Sequence, residues 1–139
     1  YRGKEGINTI LKIIIRDNKE YFIRGGATEA CTLFELENIR FVKEAEKIKL
    51  KGKILARKDD AFFIGKYEEY RYIPDELISS TTMMVWSDKV AIFVWTEPYN
   101  VVLISNAEIA KSNITTFNYL WKQSEKPKKE DINKRLLKT

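Results

Sequence analysis

The spacing of apolar positions in the first half of the chain predicts an alternation of helices and strands. Apolar residues recur at intervals of three and four over residues 7–15, which is the one-face spacing of a helix. A short apolar strand follows over residues 20–24 and stops at Gly25 and Gly26. Helical spacing returns over residues 27–50, with Thr28 as a candidate N-cap, and a second strand occupies residues 53–57. A helical crossover of this length predicts that the two strands are parallel.

The second half of the chain predicts strands with short connections. Residues 58–66 fit either a loop or a short helix, and the next strand ends before Pro74. Three further strands are predicted over residues 82–86, 90–96 and 101–104, with the short connections that antiparallel hairpins require. A last helix begins after its predicted cap, Asn106. The predicted fold is α/β: a mixed sheet, parallel in its first half and antiparallel in its second, flanked by helices.

The length and composition predict one folded domain and a charged tail. The chain has 139 residues, of which 44% are hydrophobic, enough for a single core. We place the domain at residues 1–122 and the tail, a frayed helix or flexible segment, at residues 123–139. The start at Tyr1 favours a domain cut from a longer protein. No segment has membrane-spanning length, and the one cysteine, Cys31, predicted to be buried, fits a cytoplasmic location.

Charge and residue types exclude several classes of function. Residues 122–139 contain seven Lys/Arg and three Asp/Glu, so most of the net charge of +5 lies there and a nucleic-acid-binding face on the body is not indicated. The absence of histidine excludes histidine triads, zinc sites built on histidine and histidine-phosphate chemistry. We therefore predict no metal and no cofactor. The carboxylate pairs are interpreted as solvated surface: Asp59–Asp60, Glu68–Glu69 and Asp75–Glu76.

Candidate ligand-binding residues lie where the two parallel strands end. Ligands of open α/β sheets gather at the carboxyl ends of parallel strands, which here carry Arg24, Gly25, Gly26 and Arg57, with Thr28 just beyond. The glycines could face an anion, although a tight strand-to-helix turn is the favoured interpretation.

Aromatic residues elsewhere offer two further candidates. Arg71 lies between Tyr70 and Tyr72 and could recognise a carboxylate, a phosphate or a sugar. Strand alternation puts the tyrosines on the opposite face, which favours an exposed arginine. Trp86 and Trp95 could stack on a sugar, but a buried aromatic core is the favoured interpretation.

Four segments resemble the effector domain of TrmB-like archaeal transcriptional regulators: "YRGKEGINTILKIIIRDNKEYFIRGG", "YRYIPDEL", "SSTTMMVWSDKVAIFVW" and "FNYLWK". The resemblance covers roughly residues 1–122. It implies that the chain adopts half of a phospholipase D fold, forms a homodimer and binds a small effector such as a sugar. It also implies that a winged helix outside this chain binds DNA. Exposed apolar residues of the first and last helices would then form the dimer surface.

The resemblance also implies a catalytic motif that has lost its reactive residues. Phospholipase D enzymes carry His-x-Lys-x-x-x-x-Asp on a strand that enters a hairpin. Counting back from Asp88 places Thr81 at the nucleophile and Met83 at the charge-neutralising lysine. We therefore predict a regulatory domain that is not an enzyme, with Thr81 and Asp88 as further ligand-binding candidates. The alternatives are a residual phosphodiesterase and a direct nucleic-acid-binding module.

Overall fold

The computed structural model describes residues 1–138 and contains one six-stranded sheet with helices on both faces. The elements in chain order are α1 (Gly3–Asp17), β1 (Tyr21–Arg24), α2 (Ala27–Leu33), α3 (Glu35–Lys47), β2 (Gly52–Ala56), β3 (Glu68–Tyr72), β4 (Thr81–Trp86), β5 (Lys89–Val94), β6 (Asn100–Ser105), α4 (Ala107–Gln123) and α5 (Lys129–Arg135).

The sheet has the predicted division into a parallel and an antiparallel half. Its strand order is β3-β2-β1-β4-β5-β6. Strands β1, β2 and β3 are parallel to one another, while β4, β5 and β6 form an antiparallel meander whose first strand pairs with β1. The predicted fold class is confirmed.

Two apolar layers bury the sheet. On its first face, α1 and α3 cover the strands, and the fully buried Tyr21 and Trp86 belong to this layer. On its second face, α4 packs Phe117 against Phe22, with ring centroids 5.2 Å apart, and also buries Leu55. Trp86 and Trp95 both belong to the first layer, so their interpretation as core residues is confirmed.

The segment predicted as one helix over residues 27–50 is broken in two. Phe34 leaves helical geometry with φ −130° and ψ 50°, which separates α2 from α3. Its ring lies 5.8 Å from Trp95 and 5.6 Å from Tyr99, so core packing takes precedence over local helix continuity. The predicted N-cap is also wrong, because Gly26 occupies the cap position and Thr28 lies inside the first turn. The cap at Asn106 is confirmed, since its side chain accepts from the Ile109 N–H at 3.0 Å.

The segment after α4 lies along the free edge of β3. Tyr72 and Glu125 exchange two backbone hydrogen bonds, and the Ile64 backbone bonds to Arg135 and Leu137 on either side of Leu136. Helix α5 lies between these two contacts. The sequence predicts a frayed helix or a flexible tail over residues 123–139, of which residue 139 lies outside the described residues.

Two carboxylates interpreted as solvated surface are engaged within the fold, Asp60 buried and Glu68 half-buried. Asp60 is only 4% exposed, and Glu68 accepts hydrogen bonds from the Tyr21 hydroxyl at 2.7 Å and the Gly65 N–H at 2.8 Å. Burial raises the pKa of the Glu68 carboxyl, and this effect outweighs the two hydrogen bonds.

Two features are absent from residues 1–138. None of the helices there has the length and apolar character needed to cross a membrane. Among the same residues, no group of three histidine, cysteine or acidic side chains is placed to hold a metal ion.

Candidate functional site

Four of the predicted ligand-binding residues meet where β1 ends. Arg24 is the register partner of Met83 on β4, and its guanidinium donates to the Met83 Sδ at 3.2 Å. Thr81 is two residues from Met83 and therefore shares its face of the sheet. A Cβ built on Gly25 would lie 3.0 Å from the Thr81 carbonyl oxygen, which shows how closely the two backbones approach.

Gly26 continues this cluster on the first face of the sheet. The Trp95 indole donates to the Thr82 hydroxyl at 2.7 Å, and that hydroxyl donates to the Gly25 carbonyl at 2.9 Å. A Cβ on Gly26 would overlap both Thr82 and Trp95, and its φ of +65° also favours glycine. The Gly25 N–H donates to the Leu55 carbonyl at 3.1 Å and is therefore not directed at a ligand. This geometry is that of a tight strand-to-helix turn.

A small internal cavity of about 60 Å³ adjoins the two glycines. Its wall is mainly apolar and includes Cys31, Thr82 and Trp95. A cavity that holds benzene has about 150 Å³, so this one is too small for a sugar ring.

Cys31 lines the cavity as a half-buried thiol. Burial raises its pKa to about 11, only partly opposed by a backbone hydrogen bond involving Phe63. A thiol with so little thiolate at neutral pH is a poor nucleophile and a poor redox sensor.

Thr28 and Arg57 meet at Asp60, a buried residue that the sequence analysis interprets as solvated surface. The Asp60 carboxylate accepts from the Thr28 hydroxyl at 2.7 Å, from the Arg57 N–H at 2.8 Å and from the Arg57 guanidinium at 3.1 Å. The Arg57 guanidinium also lies 3.6 Å from the Glu29 carboxylate. On the other side, Arg135 donates to the Asp60 backbone carbonyl at 3.0 Å. These contacts join α2, the β2–β3 connection and α5. The side chains of both candidate residues, Thr28 and Arg57, are therefore held by contacts within the fold.

The remaining two candidates lie away from this end of β1. Arg71, predicted to be exposed, is half-buried: its guanidinium lies 4.5 Å from the Trp121 ring and donates to the Trp121 carbonyl at 2.9 Å. The prediction that Tyr70 and Tyr72 occupy the other face is confirmed, since both join the cluster around Phe62. Asp88 lies in the β4–β5 turn, at the opposite end of β4 from Thr81, with its carboxylate 3.2 Å from the Lys89 amine.

One transverse row of side chains crosses all six strands on the second face. Register pairs link its members in the order Arg71, Leu55, Arg24, Met83, Ile92 and Val102. Helix α4 covers the Arg71 end through Trp121. Helix α4 also contacts β4 and β5, where Met83 and Ile92 share an apolar cluster with its Ala110 and Ile114. Met83 and Ile92 are half-buried, whereas Val102 at the β6 end of the row is 47% exposed.

Comparisons with known proteins establish the fold of the chain but not its function. No family model matches the chain, and no curated protein matches its sequence. Solved structures do match, and two of them each cover 91% of the chain. TrmBL2, described as an archaeal chromatin protein with a novel mode of DNA binding, has a TM-score of 0.60 at 17% identity. Nuc from Salmonella typhimurium, a phospholipase D family member, has a TM-score of 0.61 at 13% identity.

The coverage of these two proteins differs. The chain spans 53% of the TrmBL2 chain and 94% of the Nuc chain. The molecule therefore has a phospholipase D-like fold, and its likeness to TrmBL2 agrees with a TrmB-like resemblance at the level of fold.

Proposed function

We propose that this chain is a regulatory domain of a DNA-binding protein and that it is not an enzyme. In this proposal a winged helix outside the chain binds DNA, and the domain pairs with a second copy and responds to a small effector. The supporting observation is the chemistry of one strand: the side chains at the two reactive positions of the motif are Thr81 and Met83. Neither supplies an imidazole or an ammonium group, and the sequence has no histidine.

The surroundings of Thr81 favour binding over catalysis. Arg24 provides a positive charge on the same face, but its guanidinium bonds to the Met83 sulfur. The Thr81 hydroxyl lies 3.1 Å from that of Ser79, and within residues 1–138 it has no hydrogen bond to a basic or acidic side chain. A phosphate or carboxylate could be held here by Arg24 and Thr81, while nucleophilic attack would lack an activating group. The effector in our proposal is therefore a small molecule with an anionic group, bound outside the internal cavity.

The β6 end of the transverse row supports pairing with a second copy. It presents the exposed Val102 and, next to it, Ile92 and Met83, which remain half-buried although they pack near Ala110 and Ile114 of α4. Arg24 is the next member of the row. A two-fold pairing places the same patch on both copies, so the two apolar strips would cover one another. The effector position at Arg24 and Thr81 lies at the margin of this strip, where a ligand could bind one arrangement of the dimer better than another.

The predicted dimer surface on the first helix is not supported. The exposed large apolar residues among residues 1–138 lie outside α1: Tyr1, Leu33, Leu36, Ile48, Leu77, Val102, Ile109 and Tyr119. Two of them, Ile109 and Tyr119, belong to α4. In the present proposal the sheet face carries the contact, and α4 borders it.

Sedimentation velocity of the Val102→Glu variant tests the pairing. We expect the wild-type chain to sediment as a dimer and the variant as a monomer, because a carboxylate would be buried without a partner. Leu36→Glu is the matched control: Leu36 is 67% exposed on α3, across the sheet, and its variant should remain dimeric. A monomeric wild-type chain, or a dimer unaffected by Val102→Glu, contradicts the proposed surface.

A phosphodiesterase assay tests the proposal that the chain is not an enzyme. We expect no turnover of a chromogenic phosphodiester above a buffer blank. Turnover that is abolished by Asp88→Ala or Thr81→Ala would show a rearranged active site and would overturn this part of the proposal.

A thermal-shift screen of phosphorylated and carboxylated small molecules tests the proposed effector binding, since a ligand of the native state raises the melting temperature. Arg24→Gln should remove any such shift.

A further inference from the structure

Five exposed or half-buried lysines lie at the end of the parallel strands opposite to the candidate site. Lys19 precedes β1, Lys49 and Lys51 precede β2, Lys53 lies near the start of β2, and Lys66 precedes β3. In parallel strands all these positions fall at the amino-terminal edge of the sheet. We call this set the lysine edge.

Backbone contacts hold these turns side by side. The Tyr21 N–H donates to the Lys51 carbonyl at 3.2 Å, and the Gly52 N–H donates to the Tyr67 carbonyl at 3.3 Å. The Lys66 N–H donates to the Glu46 carboxylate at 2.9 Å, which fixes the last turn against α3. Three neighbouring strands span roughly 10 Å, so the five amino groups are concentrated over a short distance.

The amino groups of the lysine edge lack carboxylate partners, whereas Arg57 and Lys58 at the opposite end have them. Among residues 1–138, no carboxylate lies within 4.0 Å of any of the five lysine amines. Across the sheet, Arg57 pairs with Asp60 and Glu29, and Lys58 pairs with Glu125 at 2.9 Å.

The acids near the lysine edge are mostly engaged elsewhere. Glu44 pairs with Lys47, Glu46 accepts from the Lys66 backbone, and Glu68 accepts from Tyr21 and Gly65. Glu20 and Glu69 remain as exposed carboxylates near the five lysines. The backbone hydrogen bond leaves the charge of Glu46 in place, so with Glu68 set aside the five lysines face three carboxylates (Glu20, Glu46 and Glu69), and the local excess of positive charge is two.

We propose that the lysine edge binds the phosphate backbone of duplex DNA directly and without base recognition. Unpaired lysines gain binding free energy by displacing the counterions condensed on a duplex, and this requires only a local concentration of positive charge. The contact is separate from the pairing surface and the effector position, and it does not depend on them.

The side chains at this edge favour a duplex over other polyanions. Single-stranded nucleic acid is held by aromatic faces on which bases stack. Here the Lys53 amine lies over the Trp121 ring and the Lys66 amine over the Tyr67 ring, while Trp121 is only 9% exposed. A membrane surface would favour several inserted apolar side chains, whereas the lysines are interspersed with one exposed apolar residue, Ile48.

Fluorescence anisotropy of a labelled duplex of arbitrary sequence tests the proposal. We expect weak binding, with Kd on the order of 10⁻⁴ to 10⁻⁶ M, that weakens about 500-fold between roughly 50 and 200 mM salt if five phosphates are contacted. The variant Lys19→Gln/Lys49→Gln/Lys51→Gln/Lys53→Gln/Lys66→Gln should lose at least about tenfold in affinity and most of this salt dependence.

The matched control changes the same number of charges in the tail. The variant carries Lys126→Gln, Lys128→Gln, Lys129→Gln, Lys134→Gln and Lys138→Gln, all at exposed positions. It should retain the affinity and most of the salt dependence of the wild-type chain. Unchanged far-ultraviolet circular dichroism and melting temperature would establish that both variants are folded.

Several outcomes would overturn the proposal. These are no binding by the wild-type chain, equal losses in the two variants, or a loss confined to the tail variant. Tighter binding to a single strand than to the duplex would assign the edge to another nucleic acid. Retention on anionic vesicles at salt concentrations that release the duplex would assign it to a membrane surface.

Discussion

The Trp95 indole N–H and the Thr82 hydroxyl form a buried hydrogen bond of 2.7 Å that connects the end of β5 to β4. The same hydroxyl donates to the Gly25 carbonyl and so extends the connection to the turn after β1. One hydroxyl thus joins three parts of the sheet in the wall of the internal cavity.

Replacing Thr82 with valine should destabilise the domain without changing its shape. Valine keeps the branched outline but leaves the Trp95 N–H and the Gly25 carbonyl without this partner in a buried place. We expect the free energy of unfolding in urea to fall by about 1–3 kcal/mol. Thr96→Val, at an exposed position, is the control and should change it by less than about 0.5 kcal/mol. Equal effects of the two substitutions would contradict the role given to the Thr82 hydroxyl.

Arg135 should contribute measurably to stability although it lies in the charged tail. Its guanidinium lies 4.2 Å from the Phe62 ring centroid and donates to the Asp60 carbonyl at 3.0 Å. Arg135→Ala removes both contacts, and we expect the free energy of unfolding to fall by about 1–2 kcal/mol. Lys134→Ala removes an exposed charge one position earlier and should be nearly neutral. Equal stabilities of the two variants would show that the tail does not hold the β3 edge in solution.

Glu68 should make stability depend on pH in the direction opposite to most carboxylates. Its pKa in the folded chain is raised by burial above the ordinary value of 4.5, so the folded state binds its proton more tightly than the unfolded state. The stability of the wild-type chain relative to Glu68→Gln should therefore rise as pH falls through the raised pKa, and level off below about 4.5. Urea unfolding of both proteins across this range measures the difference.

Asp17 provides the opposite case as a control. Burial opposes ionisation of this carboxylate, but hydrogen bonds from Lys89, Trp86 and Arg16 outweigh it and lower its pKa. Its contribution is present above the unfolded-state pKa and is lost as pH falls through the lowered folded-state pKa. The stability of the wild-type chain relative to Asp17→Asn should accordingly fall in acid. If stability relative to the amide variant changes in the same direction with pH at Glu68 and Asp17, the causes assigned to their two pKa shifts are contradicted.

Cys31 should resist alkylation in the folded chain. With its pKa raised from 9.0 to about 11, its thiolate fraction at about pH 8 is roughly 100-fold below that of an ordinary thiol. We expect iodoacetamide to modify the native chain correspondingly slowly and the urea-unfolded chain at an ordinary rate. Mass spectrometry measures the extent of modification over time, and rapid modification of the native chain would contradict the effect assigned to burial.

Local periodicity was sufficient to predict most of the sheet. The apolar strands, the parallel crossover and the short antiparallel connections follow from spacing within a few residues, and the structure confirms them. The break at Phe34 could not be predicted in this way, because its cause is packing against Trp95 and Tyr99, which are far away in sequence. Tertiary contacts override local propensity at such positions.

The candidate site was predictable in position but not in its contacts. Placing Arg24 and Arg57 at the carboxyl ends of parallel strands required only the strand order. Asp60 was overlooked because a carboxylate in a polar segment resembles solvated surface, and its burial depends on Thr28, Arg57 and Arg135 together. A single buried carboxylate whose partners include Thr28, 32 residues away, leaves no periodic signal in the sequence.

The two halves of the sheet differ in how soon they can form during folding. Strands β4, β5 and β6 are consecutive and joined by short turns, so their pairing closes only small loops. Strand β1 pairs with β4 across a much longer stretch of sequence, as the pairing of Tyr21 with Trp86 shows. Because long loops close slowly and at a higher entropic cost, we expect the meander to gain protection first in pulsed hydrogen exchange. The central strand of the finished sheet would then be among the last to join it.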